Sequence, residues 1–205
     1  MEFENGAALG SAVAEHLRHN LVNPRVRNGV ALEPGLTDAE IAAVEDRFGF
    51  EFADDHRAYL AELLPTGAGF PDWRDGDPDA LRGQVEWPVE GVLYDVVENG
   101  FWYTPWGERP VADDDAVALA RTHLAAVPRM VPVRTHRCLP GGRGTFGYPV
   151  LSMYQTDIIY YGANLLHYFG GRASSPHGAH ERSIPFWDDL LHLDNELVVR
   201  KENDD

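Results

Sequence analysis

The segment MYQTDIIYYGANLLHYF, residues 153–169, places one acid and one histidine among several aromatic side chains. Asp157 is close in sequence to Tyr160 and His167. Two roles are open for it: proton transfer in an active site, or a polar contact on a surface that binds a larger partner. Strand alternation puts Gln155 and Asp157 on one face, while the other face packs against the core. We therefore predict that Gln155 and Asp157 contact a partner, with a turn-capping role for Asp157 as the alternative.

A second candidate is the acidic stretch DGDPDALRGQVE. Asp75, Asp77 and Asp79 occupy the first, third and fifth positions of a twelve-residue calcium loop, and Glu86 occupies the twelfth. The sixth position, where such loops need glycine for a sharp turn, is Ala80. We therefore predict an acidic surface loop whose three aspartates contact a partner, with calcium binding as the alternative.

Histidine and cysteine positions give weaker signals for metal or nucleophilic chemistry. His177 and His180 are three residues apart, but their segment is rich in Gly, Ser and Pro and has no cysteine nearby. His136 and Cys138 share a strand face, yet no third residue that would orient them is evident. We predict a buried structural thiol at Cys138, and we predict no metal, cofactor or catalytic residue.

Three tryptophans are further candidates for partner contacts. Trp73, Trp102 and Trp106 lie in predicted loops or at the ends of predicted elements. Exposed tryptophans at such positions anchor many protein interfaces. Packing against the domain's own core is the alternative. We therefore name these three side chains as candidate partner contacts.

Composition limits the class of partner. The chain has 205 residues, one cysteine and a net charge of −16, and its length suits one hydrophobic core. The excess of acids disfavours nucleic acid and anionic membranes and favours basic proteins. Acidity that only maintains solubility is the alternative. Because no signal-peptide pattern or long apolar segment is visible, we expect a cytoplasmic protein.

The first half of the chain predicts helices separated by turn signals. Thr37 and Glu40 form a capping-box pattern, and Gly49 provides a C-terminal stop. Residues 66–83, rich in Gly, Pro and Asp, predict a surface loop. Other helices are predicted at about residues 7–22, from Asp54 to Pro65, and from Pro88 to Gly100, the last with a strand as the alternative.

The second half predicts a mixture of strands and short helices. A helix is expected from Asp113 to Pro128, with acids in its first turn. MVPVRTH, YPVLSMY and DIIYYG predict neighbouring antiparallel strands, and LPGGRGTFG predicts a hairpin loop between the first two. ANLLHYF and PFWDDLLHL predict short helices. The fold class is therefore α+β, a single domain with helices packed on a small, mostly antiparallel sheet.

Several of these stretches resemble the SUKH superfamily, in its Smi/Knr-like branch. GLTDAEIAAVEDRFGFEFADDHRAYL resembles the opening helical pair of that family. GVLYDVVENGFWYTPWGERP, VPRMVPVRTHRCLP and PVLSMYQTDIIYYGANLLHYF are similar to later parts of its bacterial members, so the resemblance covers about residues 35–170. The matching positions in the helical pair are Glu40, Ile41, Glu45, Gly49, Phe50, Phe52, Asp55, Arg57 and Leu60.

The resemblance implies a domain organisation and a function. It implies a SUKH-like α+β domain at 35–195, after an N-terminal helix and connector at 1–34 and before a flexible acidic tail at 196–205. It also implies a non-catalytic immunity protein that binds and occludes a nuclease- or deaminase-type bacterial toxin. A basic toxin cleft would attract this acidic chain. The alternatives are a regulatory adaptor that binds cellular proteins and an unrecognised enzyme or metal-binding protein.

Overall fold

The computed structural model describes residues 3–21, 29–170 and 182–191, and the backbone of 198–199. Its helices are α1 Gly6–Leu21, α2 Asp38–Phe48, α3 Asp54–Glu62, α4 Pro78–Glu98, α5 Asp113–Leu124, α6 Leu165–Phe169 and α7 Trp187–Leu190. Its strands are β1 Ala31–Pro34, β2 Leu63–Thr66, β3 Trp102–Tyr103, β4 Met130–Arg134, β5 Arg137–Pro140, β6 Val150–Tyr154, β7 Asp157–Gly162 and β8 Val198–Val199.

The predicted start of α2 is confirmed in atomic detail. The Thr37 hydroxyl accepts a hydrogen bond from the Glu40 amide at 3.2 Å, and the Glu40 carboxylate accepts one from the Thr37 amide at 2.7 Å. Gly49 ends the helix in the left-handed region, at φ 67°. The predicted first helix is also confirmed, one residue earlier than expected.

The predicted third helix is shorter than expected. It ends at Glu62 and not at Pro65, because Leu63–Thr66 pairs with Ala31–Pro34 as an antiparallel ladder. All four residues of β2 are buried. Pairing with β1 satisfies backbone groups that burial would otherwise leave without partners, so the strand is favoured over another helical turn.

Helix α4 begins earlier than predicted. It includes residues 78–83 of the predicted surface loop at 66–83, and it starts before the predicted first turn at Pro88. The helix begins at Pro78, where the Asp77 carboxylate accepts hydrogen bonds from the amides of Asp79 and Ala80 at 3.1 and 2.8 Å. An N-cap aspartate followed by proline is a strong helix start. Pro88 therefore lies inside the helix, where it is itself buried.

The largest sheet has four antiparallel strands in the order β4-β5-β6-β7. Strand β5 was not predicted as a separate strand, because its four residues begin with Arg137, end with Pro140 and lack an alternating pattern. In such a meander, alternate turns lie at the same end of the sheet. The β4–β5 turn at Thr135–His136 and the β6–β7 turn at Gln155–Thr156 are therefore neighbours.

Helices cover both faces of this sheet. One face, with Val131, Val133 and Leu139, packs on α1, α2 and α3, and the opposite face, with Cys138 and Leu151, packs on α4, α5 and α7. Every strand pair described is antiparallel. The α+β class is thus confirmed.

Three helices predicted in the second half of the chain are present, although α5 ends at Leu124 and not near Pro128. The helices expected after residues 113, 163 and 185 are present as α5, α6 and α7. α1 and β1, which the sequence placed in an N-terminal segment at 1–34, pack within the same core as α3 and β2. The acidic tail at 196–205 lies outside the described residues, apart from the backbone of β8.

Candidate functional site

Exposed apolar side chains concentrate on one part of the molecule. Six large hydrophobic side chains are exposed among the described residues, and five of them lie on α4, β6 and β7. The sixth, Val111, precedes α5. We call the five the aromatic surface: Trp87, Tyr94, Tyr154, Ile159 and Tyr161. Three of them, Trp87, Tyr94 and Tyr154, line one cavity, and exposed apolar side chains that lie together mark binding sites more often than isolated ones do.

Helix α4 positions two members of the aromatic surface. Trp87 and Tyr94 are seven residues apart, which is two helical turns, so they lie on the same side of the helix. Val85, Val92 and Val96 are buried on its other side. Burial of these valines fixes the rotation of α4 and thereby turns Trp87 and Tyr94 outward.

The β6–β7 hairpin positions the other members. Tyr154 is the register partner of Asp157, and Ser152 is the partner of Ile159, so these side chains share one face of the hairpin. The rings of Trp87 and Tyr154 have centroids 6.1 Å apart. The Trp87 indole nitrogen donates a hydrogen bond to the Met153 carbonyl oxygen at 2.9 Å, which joins helix and hairpin.

A buried aspartate fixes the hairpin turn against α4. One carboxylate oxygen of Asp95 accepts hydrogen bonds from the amide and the hydroxyl of Thr156, the first at 2.9 Å. Gly91 permits the close approach, since a Cβ at this position would lie 2.9 Å from the Gln155 Cα. Gln155 itself has φ 57°, a backbone conformation that the surrounding contacts must maintain.

Two cavities flank the exposed ring of Trp87. The first, of about 380 Å³, is lined by Trp87, Glu90, Gly91, Tyr94, Tyr154 and Gln155. The second, of about 390 Å³, is lined by Ala80, Gly83, Gln84, Trp87, Thr135 and His136. Both are large enough for one or more side chains of a partner. The aromatic surface is therefore concave on both sides of Trp87.

Charges around the two cavities differ in sign. Near the first, Glu90 pairs with Arg121 at 2.9 Å, and Asp157 is exposed beside Tyr154. Near the second, partial burial and the neighbouring Arg137 guanidinium lower the pKa of His136. The first cavity therefore has Glu90 in its lining, paired with Arg121, whereas the second has the Arg137 guanidinium near His136.

The structure brings two of the predicted site residues into this region. Gln155 lines the first cavity, and Asp157 is exposed on the same hairpin. Asp157 does not join His167 in a catalytic arrangement, because His167 lies on α6 with its side chain exposed. Partner binding by Gln155 and Asp157 stays a prediction, now with a defined surface around them.

The expectation that loop tryptophans face a partner needs correction. Trp73, Trp102 and Trp106 are 4%, 3% and 9% exposed. Trp73 packs against three phenylalanine rings, the Trp102 indole donates to the Gly107 carbonyl at 2.7 Å, and Trp106 stacks on Phe186. Their neighbours in sequence are polar, but tertiary packing covers them. The exposed tryptophan is Trp87, which helix periodicity alone does not distinguish from a core residue.

The three candidate aspartates do not form a calcium loop. Asp75, Asp77 and Asp79 are exposed, but Asp77 caps α4 and Glu86 lies within that helix. No group of three metal-ligating side chains occurs in the part of the chain that the structure describes. His177 and His180 lie outside the described residues. The three aspartates are exposed acids beside α4, and their contact with a partner stays a prediction.

Cys138 is a buried thiol, as expected. It is 1% exposed on the sheet face that packs on α4, α5 and α7, and burial raises its pKa to about 12. The thiolate is the nucleophilic form, so a thiol in this environment is unreactive near neutral pH. His136, in contrast, lies at the β4–β5 turn beside the second cavity.

Another pair of titratable residues is buried in α3. His56 is 1% exposed between Phe52 and Tyr59, and neither of its ring nitrogens has a hydrogen-bond partner among the described residues. Burial lowers the pKa of His56 to about 3. Burial raises the pKa of Asp55 to about 6, although its carboxylate accepts hydrogen bonds from the Gly147 and His56 amides.

We expect His56 to make stability depend on pH. Below pH 6.5 the unfolded chain binds a proton at His56 that the folded chain excludes. The free energy of unfolding therefore decreases as the pH is lowered. The stability of the wild type relative to His56→Phe should decrease by about 2 kcal/mol from pH 7 to pH 5. The raised pKa of Asp55 acts in the opposite direction, but it is common to both proteins and largely cancels. Urea denaturation at both pH values measures this difference, and an unchanged difference would contradict a neutral buried imidazole.

Comparisons of the chain with protein families, with curated proteins and with solved structures give no match. The resemblance to the SUKH superfamily therefore stays a prediction from sequence motifs. Among the described residues, no helix is long and apolar enough to cross a membrane.

Proposed function

We propose that the chain is a non-catalytic protein-binding module that binds a basic bacterial toxin domain, of nuclease or deaminase type, and occludes it. The observation that carries the proposal is the aromatic surface, in which five of the six exposed large hydrophobic side chains of the described residues are grouped. Tryptophan and tyrosine are the side chains most enriched at the energetic centres of protein interfaces.

Charge supports a basic partner. The chain carries 33 acidic residues against 17 lysines and arginines, a net charge of −16. Asp157 is exposed on the hairpin beside Tyr154, and Asp79 is exposed in the first turn of α4, the helix that carries Trp87. A protein that binds nucleic acid presents a basic cleft, so opposite charges would accelerate the encounter, and the aromatic rings would then stabilise the complex.

Architecture supports a binding role as well. Trp87 is joined to the hairpin through the Met153 carbonyl, and the turn is fixed by Asp95, so the aromatic side chains are held before a partner arrives. Preorganisation reduces the entropy lost on binding. The SUKH resemblance adds the expectation that the partner is a toxin.

Binding and inhibition should be tested together. The tagged chain would be used to capture partners from lysates of its source cells at about 50 and 500 mM salt, since high salt screens exposed charges. Any basic protein retained at low salt would then be purified, and its nuclease or deaminase activity titrated with the chain. We expect complete inhibition at one-to-one stoichiometry.

Variants test whether the aromatic surface binds the captured protein. The double variant Trp87→Ala/Tyr154→Ala should bind the captured protein at least ~30-fold more weakly. Val111→Ala, which removes a fully exposed side chain outside the surface, is the control and should bind as the wild type does. A partner that binds without losing activity would exclude occlusion and favour the adaptor alternative. Equal binding by the double variant would exclude this surface.

A further inference from the structure

The first cavity has the composition of a cation-binding aromatic pocket. Its walls are the rings of Trp87, Tyr94 and Tyr154, which are 44%, 52% and 56% exposed. Its floor is formed where Gly91, without a side chain, meets the backbone of Gln155. Aromatic faces carry partial negative charge and attract cations such as guanidinium, most strongly where little water intervenes.

Arginines already lie over several other aromatic rings of the protein. Arg137 lies 4.1 Å from the ring centre of Tyr161, and Arg134 lies 5.0 Å from that of Phe70. Arg82 and Arg182 occupy comparable positions over Phe48 and Phe146. Among the described residues, no arginine or lysine lies over the rings of Trp87, Tyr94 or Tyr154. These three rings are therefore open to a cation from outside the chain.

Charges at the rim favour the same occupant. Glu90 lies in the lining, and Asp157, which is exposed, is the register partner of Tyr154 in the lining. The base near the rim, Arg121, is paired with Glu90 at 2.9 Å, and this pairing raises its pKa further. Asp157 has no ion pair among the described residues, which leaves its carboxylate available to an incoming guanidinium.

We propose that this pocket binds an arginine side chain presented by the protein partner. The inference rests on the proposed protein-binding function and specifies the contact that the partner makes. Arginine fits better than lysine, because its planar guanidinium stacks on a ring and donates hydrogen bonds to a carboxylate at the same time. A volume of about 380 Å³ accommodates the guanidinium and part of its aliphatic stem.

The pocket can be tested on the isolated full-length chain, without the toxin. The probe is a short acetylated, amidated peptide with two arginines separated by glycine, and the control peptide replaces each arginine by citrulline, which has nearly the same shape without the charge. Binding is followed by the NMR signal of the Trp87 indole N–H, assigned with Trp87→Phe. We expect the arginine peptide to shift this signal, with an affinity at least ~10-fold above that of the citrulline peptide.

Variants and a second peptide distinguish the possible outcomes. Tyr94→Leu and Tyr154→Leu should each weaken binding of the arginine peptide several-fold. Val111→Ala, which lies outside the aromatic surface and is fully exposed, is the control and should leave binding unchanged. Equal affinity for the citrulline peptide, or tighter binding of a trimethyllysine peptide, would overturn the inference. If the arginine peptide fails while Trp87→Ala/Tyr154→Ala still weakens toxin binding, the pocket assignment is wrong and the proposed function stands.

Discussion

Replacing Asp95 by alanine should lower the free energy of unfolding by about 3 kcal/mol. The carboxylate is 4% exposed and accepts hydrogen bonds from the Thr156 amide, the Thr156 hydroxyl and the Asn99 side chain. Without it, the amide and the hydroxyl of the buried Thr156 lose their acceptor, and leaving buried donors unpaired is costly. Thermal unfolding should occur about 10 °C below that of the wild type.

The control for this substitution lies on the same helix. Glu98, the last residue of α4, is exposed, so Glu98→Ala removes the same charge without removing a buried acceptor. We expect its unfolding free energy to stay within about 0.5 kcal/mol of the wild type. Equal effects of the two substitutions, measured by urea denaturation, would show that Asp95 acts only through net charge and not through the turn.

The Asp95 substitution also tests how the aromatic surface is organised. The turn that Asp95 fixes carries Gln155 and is followed by Asp157, and the hairpin carries Tyr154. If the turn moves, the floor of the first cavity at Gly91 opens and the Trp87 and Tyr154 rings separate. At temperatures where Asp95→Ala is fully folded, we therefore expect weaker binding of the arginine peptide and a shifted Trp87 indole signal.

Local sequence signals predicted the helix that is stabilised by hydrogen bonds between residues close in sequence. The capping box at Thr37 and Glu40, with the stop at Gly49, places α2 within one residue, because neighbours in sequence make the relevant hydrogen bonds. The start of α4 was predicted wrongly for a related reason. The Asp77-Pro78 cap is equally local, but the surrounding Gly, Pro and Asp residues predict a loop more strongly than the cap predicts a helix.

The candidate site depends on contacts that sequence patterns do not contain. Gly91 and Gln155 approach because α4 crosses the hairpin, and neither residue indicates the other in the sequence. Burial of Trp73 depends likewise on aromatic rings from a separate segment, among them Phe48 and Phe52. Asp157 is exposed, but the alternation that placed Gln155 on the same strand face was wrong, because residues 155–156 form the turn between β6 and β7. Trp87 was missed because exposure on a helix is set by what packs against its other side.

The net charge of the chain and the rings of the aromatic surface act over different distances. Net charge acts beyond contact and falls off within about 10 Å at 0.1 M salt, so it selects basic partners in general. Aromatic rings act only on contact and select the shape and position of a particular side chain. We therefore expect an acidic protein without the aromatic surface to bind many basic proteins weakly, and we propose that the combination makes this chain specific for one.

The contact between α1 and α3 gives the second large prediction. A Cβ at Gly10 would lie 2.5 Å from the Ala58 Cβ, 2.6 Å from the Asp55 carbonyl oxygen and 2.8 Å from the Tyr59 amide nitrogen. Two of these atoms belong to the backbone and cannot move without shifting α3. Gly10→Ala should therefore lower the free energy of unfolding by about 3 kcal/mol, even though alanine favours helix formation.

The same substitution at another helical glycine should have the opposite sign. Gly83 lies on the exposed side of α4, and a Cβ there would have no atom within 4 Å. Gly83→Ala should raise the free energy of unfolding by about 1 kcal/mol, because it adds helix propensity without a clash. Urea denaturation of both variants measures the contrast. A stabilised Gly10→Ala would show that α1 and α3 can separate without loss, and that the core beneath α1 is less closely packed than the structure shows.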